Sequence, residues 1–311
     1  MIRLAFLISI IFLLSGCNTL LRSATSDLAD NLGLAIQNQN DPDTVRQGAP
    51  AYLIMIDSFI QGSPDDINLL VAGSSLYGSY AGAFAAEPAR SQRLTDKSKQ
   101  YAQHAFCVKL PKHCKMAEYR FPEFEKTLQK IDKQDLAVLN AWGVAWAGWI
   151  QSRTDDWSAI ADIPKVKAIM LRVVELDPGW DKGNAQLYLG VLNSFLPEAM
   201  GGNPKLAKSY FDSAISYSEG KNLMVKTLYA RYYARMVFNQ EFHDKLLREV
   251  VESPATEPGL TLINTLAKEQ ASKLLALQTA FGAAKMALES SEDAEVLRQR
   301  VTSPGGTTER A

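Results

Sequence analysis

Leu139-Asn140-Ala141-Trp142-Gly143-Val144-Ala145-Trp146 is the stretch on which the fold turns. Leu139, Trp142 and Trp146 fall at i, i+3 and i+7 on one helix face, and Trp149 extends the stripe. Gly143 sits inside this pattern, where glycine disfavours a helix by about 1 kcal/mol relative to alanine. Its presence points to a second helix passing too close for a Cβ atom.

The arrangement recurs along the chain. Gln186-x2-Leu189-Gly190-x2-Asn193 is followed by Ala207-x3-Phe211-x2-Ala214, and a weaker copy is Leu69-x2-Ala72-Gly73-x2-Leu76. In the central copy, Val173-Val174-Glu175-Leu176-Asp177-Pro178 ends the second helix. These spacings fit the W-x2-L-G-x2-Y and A-x3-F elements of tetratricopeptide repeats. The three glycines lie 70 and 47 residues apart, not the regular period of about 34, so the repeats carry insertions. Ser152–Pro164, with Trp157, and Leu196–Asn203 are two of them.

Periodicity predicts helices over Ser26–Gln37, Asp43–Ile60, Asp65–Ala86, Arg90–Leu110, Gln134–Arg153 and Lys165–Leu176. Five more follow over Lys182–Phe195, Pro204–Ser218, Leu223–Phe238, Glu241–Val251 and Leu260–Leu288. Ser63-Pro64-Asp65-Asp66 and Asn203-Pro204 place a cap and a first-turn proline before apolar runs. Pro50 should kink its helix or delay its start. No strand-like alternation of Val, Ile and Thr occurs. The expected fold is all-α, an irregular tetratricopeptide-like helical-repeat (α-solenoid) domain on a lipid-anchored N-terminus.

The anchor is read from the first residues. Arg3 precedes an eleven-residue apolar run, Leu4–Leu14, broken by Ser9. As a helix it rises about 16 Å, too short for a hydrocarbon core of about 30 Å, and it reads as a secretory signal. Leu14-Ser15-Gly16-Cys17 resembles the bacterial lipobox, which implies a mature chain beginning at a lipidated Cys17. Asn18, in place of Asp, favours the outer membrane over the inner. No later run of about 18 apolar residues appears. The expected organisation is a signal peptide over 1–16, a tether over 17–25, a helical-repeat domain over 26–289 and a polar, disordered tail over 290–311.

Lys+Arg number 33 and Asp+Glu 34, so the net charge is -1 and nucleic acid is not an expected partner. Cys107 and Cys114 lie near His104 and His113, but the spacing fits neither half of a zinc pattern. An exported, oxidising compartment favours joining the two thiols; buried free thiols are the alternative, and a metal site a third. No G-x-S-x-G, H-E-x-x-H or phosphate-loop motif occurs, and only three histidines are present. Neither an enzyme nor a cofactor is expected, apart from covalent lipid on Cys17. Trp142 and Trp146 read as core, Trp149 and Trp157 as core or site. Tyr229, Tyr232 and Tyr233 with Arg231 and Arg235 form a second aromatic-basic helix.

Several further segments, in this order, carry a resemblance: Gly48-Ala49-Pro50, Gly62-Ser63-Pro64-Asp65, and Tyr77-Gly78-Ser79-Tyr80-Ala81-Gly82-Ala83-Phe84. Ala141-Trp142-Gly143 with Ala145-Trp146, Leu176-Asp177-Pro178, Gly201-Gly202-Asn203-Pro204 and Leu262-Ile263-Asn264-Thr265-Leu266-Ala267-Lys268 complete it. From about Asp43 to Leu277 the chain resembles the T-component lipoproteins of TRAP transporters. The resemblance implies a periplasm-facing lipoprotein that partners the TRAP solute-binding subunit, as a homotrimer. A scaffold lipoprotein that binds protein segments in its groove is the alternative.

In tetratricopeptide folds the first helix of each pair lines the concave groove. That offset, counted through the three copies, gives Ser74 and Tyr77, then Asn140, Val144 and Ala147, then Asn184, Val191 and Phe195. This uncharged set suits an apolar small ligand or an extended peptide. The competing reading packs some of these residues against the insertions.

Overall fold

In a computed structural model the described residues are 31–195, 198 and 202–277. The signal peptide, Cys17, the tether, the tail and part of the Leu196–Asn203 insertion lie outside them. Among the described residues there are helices and no strands. The fold is all-α, as the periodicity predicts.

Residues 31–37 form α1. Then come α2 (Pro42–Gly62), α3 (Ile67–Phe84) and α4 (Pro88–Lys109), a 3-10 segment (Pro111–Glu118) and α5 (Phe121–Leu128). A short 3-10 turn (Lys133–Asp135) leads into α6 (Leu136–Gln151), α7 (Trp157–Ile160), α8 (Ile163–Leu176) and α9 (Asn184–Ser194). The chain continues through α10 (Pro204–Tyr217), α11 (Leu223–Leu228), a π-helical turn (Tyr229–Ala234), α12 (Gln240–Glu252) and α13 (residues 261–277).

Helix starts follow capping chemistry. Asp41 accepts from the Asp43 amide with Pro42 in the first turn, so α2 begins well before Pro50 and runs through it. Asp66 caps α3 by accepting from the amides of Asn68 and Leu69, while the Ser63 amide closes α2. Asn203 caps α10 through the Leu206 amide, with Pro204 behind it. α9 begins at Asn184, two residues later than its periodicity suggests. Asp181, Lys182 and Gly183 all have positive φ, which no right-handed helix accommodates.

The helices pack mainly on their chain neighbours: α2 on α3, α3 on α4, α4 on α6, α6 on α8, α8 on α9 and α9 on α10. α3 also reaches α6. Each pattern glycine marks a close approach. A Cβ on Gly73 would lie 2.8 Å from Ile60 Cδ1, on Gly143 2.6 Å from Ile169 Cγ2, and on Gly190 3.0 Å from the Phe211 ring. One apolar core spans α2 to α9 around Phe106, Phe124, Trp142 and Trp146; a second joins α10 to α13 around Phe211, Tyr229, Leu247 and Ala267. The 70-residue glycine spacing is filled by α4, the 3-10 segment and α5. The last two bury Met116 and Phe124 completely, and the sequence reading did not assign them.

Candidate functional site

The expected groove begins on α3, and there the structure departs from expectation. Ser74 and Tyr77 are buried. Ser74 Oγ lies 3.3 Å from Ser98 Oγ of α4, and Tyr77 Oη donates to Asp57 of α2 at 2.9 Å. The repeat offset assumes an open first helix. Here α2 meets Tyr77 and α4 meets Ser74, so neither side chain lines a groove.

Asp57 is the centre of this contact. Tyr101 of α4 donates to its other oxygen at 2.5 Å, and Lys97 Nζ stands 3.1 Å from the carboxylate. Lys97 also lies 5.2 Å from the Tyr101 ring centroid, within cation–π range. Burial, then the hydrogen bond to Asp57, pushes both phenols above their ordinary range. Three helices thus share one satisfied carboxylate, an arrangement that suits orientation rather than chemistry.

The remaining expected residues divide between the two cores. Val144 and Ala147 of α6 are half-buried against the first, and Val191 of α9 against the second. Asn140 is half-buried, and its Oδ1 is shut from solvent without a hydrogen-bond partner. Asn184 donates to Asp181 at the start of α9, and Phe195 beyond its end is 40% exposed. The structure does not bring the eight together; α6 and α9 each present a separate, mostly apolar strip.

Trp142 and Trp146 are core residues, 0% and 1% exposed; Trp142 stacks on Phe106, Phe124 meets Trp146 edge-on, and neither indole N–H has a hydrogen-bond partner. Trp149 donates to Asp96 at 2.8 Å, and Arg153 joins the same oxygen at 2.7 Å, tying the end of α6 to α4. Trp157 is 82% exposed. Cys107 and Cys114 form a disulfide that fastens the 3-10 segment to α4, and Gln103 donates to the Cys114 carbonyl at 3.0 Å. His104 pairs with Asp65 rather than with the cysteines. Among the described residues no cluster of His, Cys, Asp or Glu could hold a metal ion, and no helix is long and apolar enough to cross a membrane.

A cavity of about 590 Å³ opens at the α2–α3 turn, between Gly62–Asn68, Lys109 of α4, and Ala137 and Val138 of α6. The expected groove residues are not among its walls. Lys109 approaches Asp135 there at 3.9 Å.

The chain resembles two families, over ranges that overlap at residues 262–281. Residues 262–311 match the pyrroline-5-carboxylate reductase dimerisation family. Pyrroline-5-carboxylate reductase of Pseudomonas aeruginosa is 61% identical over 46 residues, 15% of this chain and 16% of that protein. Pyrroline-5-carboxylate reductase 1 of Bacillus spizizenii is 44% identical over 62 residues, 20% of this chain and 18% of that protein. The chain thus spans less than a fifth of the length of these curated relatives. This likeness, which the composition of the tail gave no sign of, falls mostly outside the described residues. Residues 38–281, which take in nearly every described helix and both cores, match the TRAP transporter T-component, and the chain belongs to that family.

Proposed function

We propose that the protein is a lipid-anchored, periplasm-facing accessory of a TRAP-type uptake system, with the TRAP solute-binding subunit as its partner. The observation that carries this reading is the family match over residues 38–281, which coincides with the packed helices. An assembly anchored through Cys17, in the outer membrane on the strength of Asn18, keeps the helical body beside solute-binding proteins at the membrane surface. A single acyl chain binds membranes only marginally, so stable anchoring needs several. The half-buried strips of α6 and α9, with Val144, Ala147 and Val191, offer apolar contact area to that subunit or to an apolar ligand. The domain limits of 26–289 and a homotrimeric assembly belong to the same proposal. A reductase activity does not, because the likeness covers less than a fifth of a reductase.

The test is capture of the tagged, lipidated protein from gently solubilised membranes, with the Cys17→Ala variant in parallel. The expected result is recovery of a periplasmic solute-binding protein by the wild type, and an unprocessed precursor for the variant. Recovery without any such subunit would overturn the partner, and normal processing of the variant would overturn the anchor.

A further inference from the structure

Lys99, on α4, stands apart from the other cations around it. Its Nζ lies 3.7 Å from the Trp149 ring centroid and 4.8 Å from that of Trp146. Arg153 is bound to Asp96 at 2.7 Å, and Lys165 to the Ala117 carbonyl at 2.7 Å and to Asp162 at 3.6 Å. Asp96 and Asp162 are therefore engaged already. No acceptor among the described residues takes any of the three N–H bonds of Lys99. Burial is the main cause that pushes its amine below the ordinary lysine value, and Asp162 opposes the shift.

Such a placement has a physical cost. A half-buried ammonium is attracted to an aromatic face, but its hydrogen-bonding capacity is unfilled. A cavity of about 550 Å³ runs along the same face of α4, lined by Asp96, Lys99, Gln100, Gln103, His104 and Cys107; the Asp96 carboxylate in it is already paired with Arg153. The nearby charges are three cations, Lys99, Arg153 and Lys165, against two carboxylates, Asp96 and Asp162, which leaves a surplus of one positive charge. An incoming carboxylate would accept charge-assisted hydrogen bonds from Lys99, while Trp149 stays covered by Lys99 and by Arg153, 4.7 Å from its ring centroid. A dianion would leave one charge uncompensated.

We propose that Lys99, with Gln100 and Gln103 beside it in this cavity, forms a binding site for a small monocarboxylate. The proposal rests on this local geometry and stands whether or not a TRAP subunit is the partner.

The test uses the full mature chain and two probes of one shape, hexanoate and hexanamide, followed by tryptophan fluorescence and by calorimetry. Hexanoate should give a saturable change, since Trp149 lies against the ammonium. Hexanamide should bind at least about tenfold more weakly, and Lys99→Met should lower hexanoate affinity by about tenfold or more. Lys99→Arg should keep affinity within a few-fold, because it retains the charge. No saturable change up to about 10 mM hexanoate, equal binding of the amide, or an undiminished Lys99→Met variant would overturn the site. The amide comparison needs no variant, so it decides the matter even where Lys99→Met folds poorly.

Discussion

Alanine at Gly143 and at Gly148 makes the same chemical change on one helix in opposite surroundings. At Gly143 the new Cβ would sit 2.6 Å from Ile169 Cγ2 and 2.9 Å from Met170 Cε, where ordinary contacts begin at 3.4 Å. Met170 can swing its terminal methyl away. Ile169 cannot, because it is 0% exposed and its β-branched side chain has one favoured rotamer on a helix. α6 and α8 must separate by nearly an ångström at their closest point. Overpacking of this kind costs about 1–3 kcal/mol, and the helix propensity of alanine returns about 1 kcal/mol. A net loss of up to about 2 kcal/mol is expected for Gly143→Ala. At Gly148 a Cβ meets nothing within 4 Å, so Gly148→Ala should stabilise by about 0.5–1 kcal/mol. Thermal unfolding followed by far-ultraviolet circular dichroism should place Gly143→Ala up to several degrees below the wild type and Gly148→Ala at or above it. A Gly143→Ala protein as stable as Gly148→Ala would refute the close α6–α8 contact. Equal destabilisation by both substitutions would show that glycine acts through the helix backbone rather than through its neighbour.

Tyr77, Tyr101 and Tyr229 have phenol groups pushed upward by burial, with Asp57 or Asp212 close to each. In the unfolded chain tyrosine ionises near pH 10, so above that pH unfolding releases protons and stability falls; below it these groups contribute no pH dependence. Ultraviolet titration should show these phenols ionising later than the exposed tyrosines and together with unfolding, and a wholly reversible titration near pH 10 in the folded state would refute the burial assignment. Opening the Cys107–Cys114 bond with Cys114→Ser should lower stability by about 2–3 kcal/mol, the chain-entropy value for so short a loop. Non-reducing peptide mapping of exported protein should find the two residues joined, and free thiols in both would contradict it.

The helix contacts were legible because they depend on a few residues at fixed spacing. Gly73, Gly143 and Gly190 could be picked from the chain, and each meets a partner helix within 3.0 Å of a would-be Cβ. Trp142 and Trp146 were legible as core for the same reason. The 3-10 segment and α5 were not. Pro111 and Pro122 break the periodicity around them, and what orders them is tertiary: Met116 and Phe124, each wholly buried under α4 and α6, and a disulfide. The first part of the groove was misread because a repeat pattern carries no information about what precedes it. Nothing within α3 says that Tyr77 will meet Asp57 of α2.

Lys99 shows the same limit at the level of chemistry. α4 reads Pro88-Ala89-Arg90-Ser91-Gln92-Arg93-Leu94-Thr95-Asp96-Lys97-Ser98-Lys99, a polar composition that suggests a solvated face. Two of its lysines, two residues apart, meet opposite fates. Lys97 points toward α2 and finds Asp57 at 3.1 Å, whereas Lys99 points toward the end of α6 and finds two indoles and no acceptor. Composition treats them alike; the partner helix separates them. In a stack of helices that contact mainly their neighbours, the backbone contacts follow from a repeated pattern, but unpaired groups arise wherever one neighbour fails to complement the next. Such groups are where a binding function can be added without disturbing the packing, and for that reason Lys99→Met should lower carboxylate affinity while the unfolding midpoint stays close to that of the wild type.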